Sequence, residues 1–350
     1  IHLKLNGMLA PPSHSLPSNI SDAIMKLIAT KAEQRFSSCQ EFWLAVQDPS
    51  FSYTPLEQEE CIEITSHSLP EAYTLSFKSR VEIERSSLWT MFSGKKSIRS
   101  KTVRQELTMQ PISAGYFTMG SLQGNQDERP AHLACLRSHF FLSDTPITQA
   151  QWQAIMGSNP SKTKIADHPV EQVSWNDCIQ FCNALSKREG LDEVYQIDGL
   201  TVSWNKEANG YRLPTEMEWE KAALPSSNRR EKTKNTDDHR FQFSGSNKAE
   251  DVAWFEQESS KPVKSKAPND NALYDMNGNI WEWCWDLYSP TVYSEERRID
   301  SLGANSGKYR VTRGGSWKSL SKLSRLTQRG KGEELQRIST VGLRIARNAP

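Results

Sequence analysis

Three helix-capping boxes constrain this chain more than any other feature. Thr148-Gln-Ala-Gln151, Ser174-Trp-Asn-Asp177 and Thr215-Glu-Met-Glu218 each place a hydroxyl three residues before a side chain that can reach back to it. That spacing satisfies two orphan amides at a helix start. Stops follow closely. Gly157 ends the first helix, and the second ends near Gly190, with Cys178, Phe181, Cys182 and Leu185 on one face. Turn dipeptides, Asn209-Gly210, Asn277-Gly278 and Gly314-Gly315, punctuate the rest. The helices are therefore short and separated by loops and brief strands. A loop-rich fold of this kind needs large apolar anchors, and the chain carries 11 Trp and 12 Phe.

The 350 residues allow two or three domains. Lys+Arg number 43 against 42 Asp+Glu, a net charge of +1. This balance gives no electrostatic footprint for nucleic acid or an anionic membrane. No apolar run approaches the roughly 18 residues of a membrane span, and no signal peptide is visible. Six cysteines occur without a CxxC or a disulfide-like pattern. Cys178 and Cys182, four apart, read as a buried thiol pair. These features point to a reducing compartment and a cytoplasmic location. The chain begins at Ile1 rather than Met, so it reads as a piece of something longer.

Residues 1–47 read as two short helices with an apolar face, too small to build a core alone. Ile24-Met-Lys-Leu-Ile-Ala29, Glu33-Gln-Arg35-Phe36-Ser37-Ser38 and Glu41-Phe42 resemble the C-terminal end of a bacterial Ser/Thr protein kinase domain. Arg35 matches that family's buried arginine. The Gly-rich loop, strand lysine, HRD loop and DFG aspartate of the family do not occur here, so this segment cannot transfer phosphate. ATP would bind only where an intact kinase domain precedes it. Residues 48–104 read as a linker in which Leu75–Ile83 alternates as a strand. Ser93–Lys101 reads as a basic solvated loop, and residues 225–240 as a charged one.

Residues 105–350 carry a series of motifs in fixed order. They are Gly115-Tyr-Phe-Thr-Met-Gly-Ser121, Pro146-Ile-Thr148, Pro169-Val-Glu-Gln-Val-Ser-Trp175, Tyr211-Arg-Leu-Pro-Thr-Glu-Met-Glu-Trp219, Leu273-Tyr-Asp-Met-Asn-Gly-Asn-Ile-Trp-Glu-Trp283, Arg313-Gly-Gly-Ser-Trp317 and Gly342-Leu-Arg344. This series resembles the formylglycine-generating enzyme, or sulfatase-modifying factor, family. The resemblance implies an α+β, C-type lectin-like fold, rich in loops.

The family enzyme oxidises a substrate cysteine with O2 and a copper(I) ion held by two cysteine thiolates. Those cysteines lie three and eight residues after the serine of the GGS motif, which places Ser319 and Ser324 at the two positions here. A serine hydroxyl stays protonated at neutral pH and is a hard donor, whereas copper(I) prefers thiolate. The resemblance thus implies no copper site and no formylglycine-generating activity. Downstream, the family's arginine-rich strand is altered to Arg325-Leu-Thr-Gln-Arg329.

Ser316 and Trp281 match residues that line the family's substrate cleft. They, with Ser319 and Ser324, are the candidate ligand cleft. The bland alternatives are a turn residue for Ser316 and a core residue for Trp281. The resemblance also implies a calcium ion held by Asp275, the carbonyls of Gly278 and Ile280, and Glu282. Hard oxygens on a tight loop suit calcium. The alternative there is an Asx-turn followed by an Asn-Gly turn. Arg212, Glu216 and Arg344 read as structural ion-pair residues.

Fusions of such a domain to bacterial Ser/Thr kinases are known in that family, chlamydial ones included. The expected function is therefore a noncatalytic binding or sensing domain at a kinase C-terminus, its protein or small-molecule ligand unnamed. The alternatives are an enzyme of other chemistry using the retained cleft, and a purely structural or protein-interaction module.

Overall fold

The computed structural model describes residues 69–85, 97–199, 201–225, 241–294, 296 and 298–350, with the side chains of all but 77–85 and 97–103. These residues fall in the second of two units into which the chain divides, Ile64–Pro350. Residues 1–47, including Arg35 and the kinase-like helices, lie outside the described residues, as does the charged stretch 226–240.

All three capping boxes form. Thr148 opens α1 (Gln149–Met156): its hydroxyl accepts from Gln151 N–H at 3.2 Å, and Gln151 Oε1 accepts from Thr148 N–H at 2.8 Å. Gly157 closes the helix at φ 78°, the left-handed cap that glycine tolerates. Ser174 and Asp177 exchange the same pair of bonds at the head of α2 (Trp175–Arg188). Thr215 and Glu218 do so for α3 (Glu216–Ala223). Cys178, Phe181, Cys182 and Leu185 are fully buried on α2, and neither cysteine is in a disulfide. Burial pushes both thiols upward, so they are inert core groups at neutral pH.

Strand β1 (Tyr73–Arg85) pairs antiparallel with β2 (Ser97–Ile112). The alternation over Leu75–Ile83 is thus a strand, as its period implies. Ser97–Lys101, expected in a basic loop, is strand as well. It pairs with Val81–Arg85, so an available partner edge outweighs the low apolar content of the segment.

The hairpin is the outer part of a sheet ordered β1-β2-β5-β16-β8, with β5 at Phe140–Ser143, β16 at Ala346–Asn348 and β8 at Tyr211–Arg212. The chain's last strand therefore lies between elements from its middle. A second sheet runs β14-β13-β11-β15: Arg329–Glu333, Tyr309–Arg313, Trp281–Leu287 and Val341–Leu343. Three smaller sheets complete the described residues: β12-β4-β3 (Arg298–Ile299, His132–Leu136, Gly115–Met119), β6-β7 (Tyr195–Asp198, Thr201–Trp204) and β10-β9 (Asn277–Gly278, Ala253–Trp254).

Trp175, Trp219 and Trp283 are fully buried anchors of two apolar clusters, one around α2 and one around α3. Their indole N–H groups find oxygen acceptors: Cys284 O, Glu282 and Val173 O respectively. Among the described residues no helix is long and apolar enough to cross a membrane.

Candidate functional site

The turn after β13 carries the expected cleft serines. Gly314 and Gly315 adopt φ 98° and 81°, and each makes a close approach. A Cβ on Gly315 would lie 2.5 Å from Ser324 Oγ and 2.8 Å from Leu323 O, so only glycine fits. The backbone then folds back on itself. Ser316 N–H donates to Ser319 Oγ at 3.1 Å, Ser319 N–H donates to Ser316 O at 3.0 Å, and the two hydroxyls lie 3.0 Å apart. Ser316 is buried and Ser319 half-buried.

Ser324 ends the short 3-10 turn Ser321–Ser324 and is fully buried. Its carbonyl accepts from Asn277 Nδ2 at 2.6 Å, but its hydroxyl has no hydrogen-bond partner. Ser316 and Ser319 thus share one turn, and Ser324 reaches that turn through Gly315. Trp281 is half-buried on β11; its ring lies over Gly330 of β14, where a Cβ would come within 2.9 Å of it.

Behind this turn runs a line of buried ion pairs. Helix α3 buries Glu216, Glu218 and Glu220. Arg329 clasps Glu216 with bonds of 2.6 and 2.8 Å. Arg212 clasps Glu218 with two of 2.7 Å. Arg313 pairs with Glu220, which also accepts from Gly120 N–H at 2.7 Å. Burial alone would raise the Glu216 carboxyl, but the Arg329 and Arg313 guanidinium groups outweigh it and hold it below its usual range. The altered arginine segment joins this frame. Arg325 grips the buried Glu128 at 2.6 and 2.9 Å, with Thr327 donating to the same carboxylate. Arg212, Glu216 and Arg344 are all in ion pairs, as read from the sequence.

Of the four groups expected to hold calcium, Asp275, the Gly278 carbonyl and Glu282 already accept hydrogen bonds. Asp275, at φ 55°, accepts from Lys264 N–H (2.9 Å) and from Asn279 Nδ2 (3.1 Å), one bond to each oxygen. The Gly278 carbonyl accepts from Ile280 N–H at 2.6 Å. Glu282 accepts from Arg344 at 2.9 and 3.0 Å and from Trp219 Nε1 at 2.7 Å. A cation at Glu282 would face a guanidinium and an indole N–H, both of like polarity. Among the described residues no group of three or more His, Cys, Asp or Glu side chains is placed to hold a metal. Burial raises Asp275 to about 6.

A strap that sequence reasoning missed closes over this region. Glu256 N–H donates to Ser319 O (3.0 Å) and Gln257 N–H to Trp317 O (2.7 Å). Further along, Ser260 Oγ meets His168 Nδ1 at 3.0 Å, and Lys261 N–H bonds Asn279 Oδ1 at 2.9 Å. Glu256 and Lys264 both have positive φ, a conformation no residue-type signal announces.

The sulfatase-modifying factor enzyme 1-like domain matches residues 95–349. The chain belongs to that family. It is 34% identical to the formylglycine-generating enzyme of Streptomyces coelicolor over 48% of this chain and 48% of the relative. It is 28% identical to the serine/threonine-protein kinase pkn1 of Chlamydia pneumoniae, over 94% of this chain and 52% of the relative. The chain therefore spans about half the length of that kinase. Among solved structures, Treponema denticola variable protein 1 superposes with a TM-score of 0.61 at 30% identity, over 70% of this chain and 96% of that one. The fold is accordingly α+β and C-type lectin-like, in the form shared by the formylglycine-generating enzyme family.

Proposed function

We propose that this chain is a noncatalytic formylglycine-enzyme-like recognition domain, carried at the C-terminal end of a Ser/Thr protein kinase. The observation that carries the reading is the state of the two positions matching the copper-binding cysteines. Ser319 hydrogen-bonds Ser316, and Ser324 presents a buried hydroxyl without a partner. Neither supplies a thiolate, and oxidation of a cysteine through copper(I) needs soft anionic ligands. The kinase half of the reading rests on the likeness to pkn1, which extends along 94% of the chain.

The turn that held the reaction in family enzymes would then serve as a ligand cleft. Ser316, Ser319, Ser324 and Trp281 would line it, with the Glu256–Lys264 strap at its rim. The protein would act in the cytoplasm, with the occupancy of this cleft biasing the attached kinase. A copper(I) competition assay tests the claim. A chromogenic chelator should keep its copper(I) in the presence of the wild-type protein. Transfer of one equivalent to the wild type would overturn the reading.

A further inference from the structure

We infer that the outer edge of β1 is a self-association surface, on which a second copy of this chain lays its own β1 antiparallel, Val81 opposite Val81. Among the described residues β1 ends its sheet and pairs only with β2. It runs for 13 residues, Tyr73–Arg85, about twice the length of a usual strand. A long edge strand presents a row of main-chain N–H and C=O groups to any strand that can meet them.

The hairpin also outgrows its sheet. β2 pairs with β5 only over Met109–Ile112, while its ladder with β1 continues from Phe77↔Gln105 to Arg85↔Ser97. Among the described residues no third strand joins that stretch. A two-stranded ribbon is marginal in water, whereas three or more strands sustain one another. Two copies meeting edge to edge would give the order β2-β1-β1-β2, four strands along the stretch that has two.

The residue pattern selects the occupant. The strand period of two places positions 78, 80, 82 and 84 on one face, and they are Lys78, Arg80, Glu82 and Glu84. The two basic residues precede the two acidic ones. An antiparallel copy centred on Val81 therefore sets Lys78 against Glu84 and Arg80 against Glu82, each pair occurring twice by the two-fold axis. Opposite charges in facing positions stabilise a strand pair, and like charges weaken it. Other registers lose this match. A slip of two residues sets Arg80 against Arg80 or Glu82 against Glu82, and parallel in-register pairing sets every charge against its own kind. At the alternate positions the same register sets Val81 against Val81 and Ser79 against Ile83, continuing the alternation that starts at the buried Leu75. Charges on an edge strand usually keep other chains away. Here their order makes the edge complementary to itself.

Sedimentation equilibrium of the 350-residue chain should show a monomer–dimer equilibrium. Two charge-reversed chains test the register. Lys78→Glu with Arg80→Glu makes the face wholly acidic, and Glu82→Lys with Glu84→Lys makes it wholly basic. Each alone should dimerise at least about tenfold more weakly than the wild type. Mixed one to one, they should dimerise as the wild type does, because every facing pair is again of opposite sign. Circular dichroism checks that each keeps its fold. Should either lose it, Lys78→Gln with Glu84→Gln takes its place; that change removes a pair without repulsion and should still weaken the dimer. A monomeric wild type, a dimer that these variants leave intact, or folded charge-reversed chains that stay monomeric on mixing would overturn the inference.

Discussion

Arg344 and Glu282 form a fully buried, two-point ion pair, 2.9 and 3.0 Å, that joins the segment between β15 and β16 to β11. Arg344 also donates to Ser143 O at 2.6 Å and Tyr274 O at 2.7 Å, so one guanidinium stitches four separate segments. Arg344→Met should leave Glu282 as an uncompensated buried charge and cost about 3–5 kcal/mol, read by urea denaturation. The double change Arg344→Met with Glu282→Leu should recover part of that loss. A single variant within 1 kcal/mol of wild type, roughly the effect of an exposed pair, would refute the role.

Stability should fall as pH rises because of Asp286. Burial, with Glu216 nearby, pushes its carboxyl up to about 8 from an ordinary value near 3.8. A group protonated in the folded state and ionised in the unfolded one contributes most below the unfolded pKa. That contribution is lost as pH climbs through the folded pKa. The window is therefore about pH 4 to 8. Asp286→Asn cannot ionise, so its stability relative to wild type should improve steadily across that window. Parallel curves for the two proteins would exclude an ionising Asp286.

Calcium should leave the wild type unchanged. With Glu282 held by Arg344 and Trp219, and Asp275 by Lys264 and Asn279, the ion would have to break existing bonds to enter. Equal melting temperatures in calcium and in chelator are expected from calorimetry. A calcium-dependent rise lost in Glu282→Gln would restore the ligand set that the family resemblance implies.

Gly315→Ala should destabilise by about 1–3 kcal/mol, since it adds both a positive-φ strain and a contact with Leu323 O. Trimming Ser324 to glycine should relieve only part of this, because the backbone contact persists. Thermal denaturation of the two variants decides it; a neutral Gly315→Ala would mean the turn is free to move.

What could be read from the sequence was mostly local. A capping box spans four residues, so Thr148, Ser174 and Thr215 announced helix starts that the structure shows. The buried face of α2 followed from the spacing of Cys178, Phe181, Cys182 and Leu185. The partners of α3 could not be read this way. Glu216 meets Arg329 across 113 residues and Glu220 meets Arg313 across 93, choices made by sheet order rather than by spacing. Glu282 illustrates the same limit: it meets Arg344 across 62 residues, a pairing no spacing announces. Ser97–Lys101 looked like solvated loop because charge hides strand pairing, which depends on the partner edge. At the candidate site, Ser319 and Ser324 were placed by motif counting alone. The strap at Glu256–Lys264 was not, since its bonds are made by backbone groups that carry no residue signature.

Ser319 and Ser324 should leave this domain without oxidase chemistry. The most direct test incubates the wild-type protein with copper(I), O2 and a sulfatase-type peptide containing one cysteine, followed by mass spectrometry. The cysteine should be recovered unchanged. Conversion of that cysteine to formylglycine by the wild-type protein would contradict it.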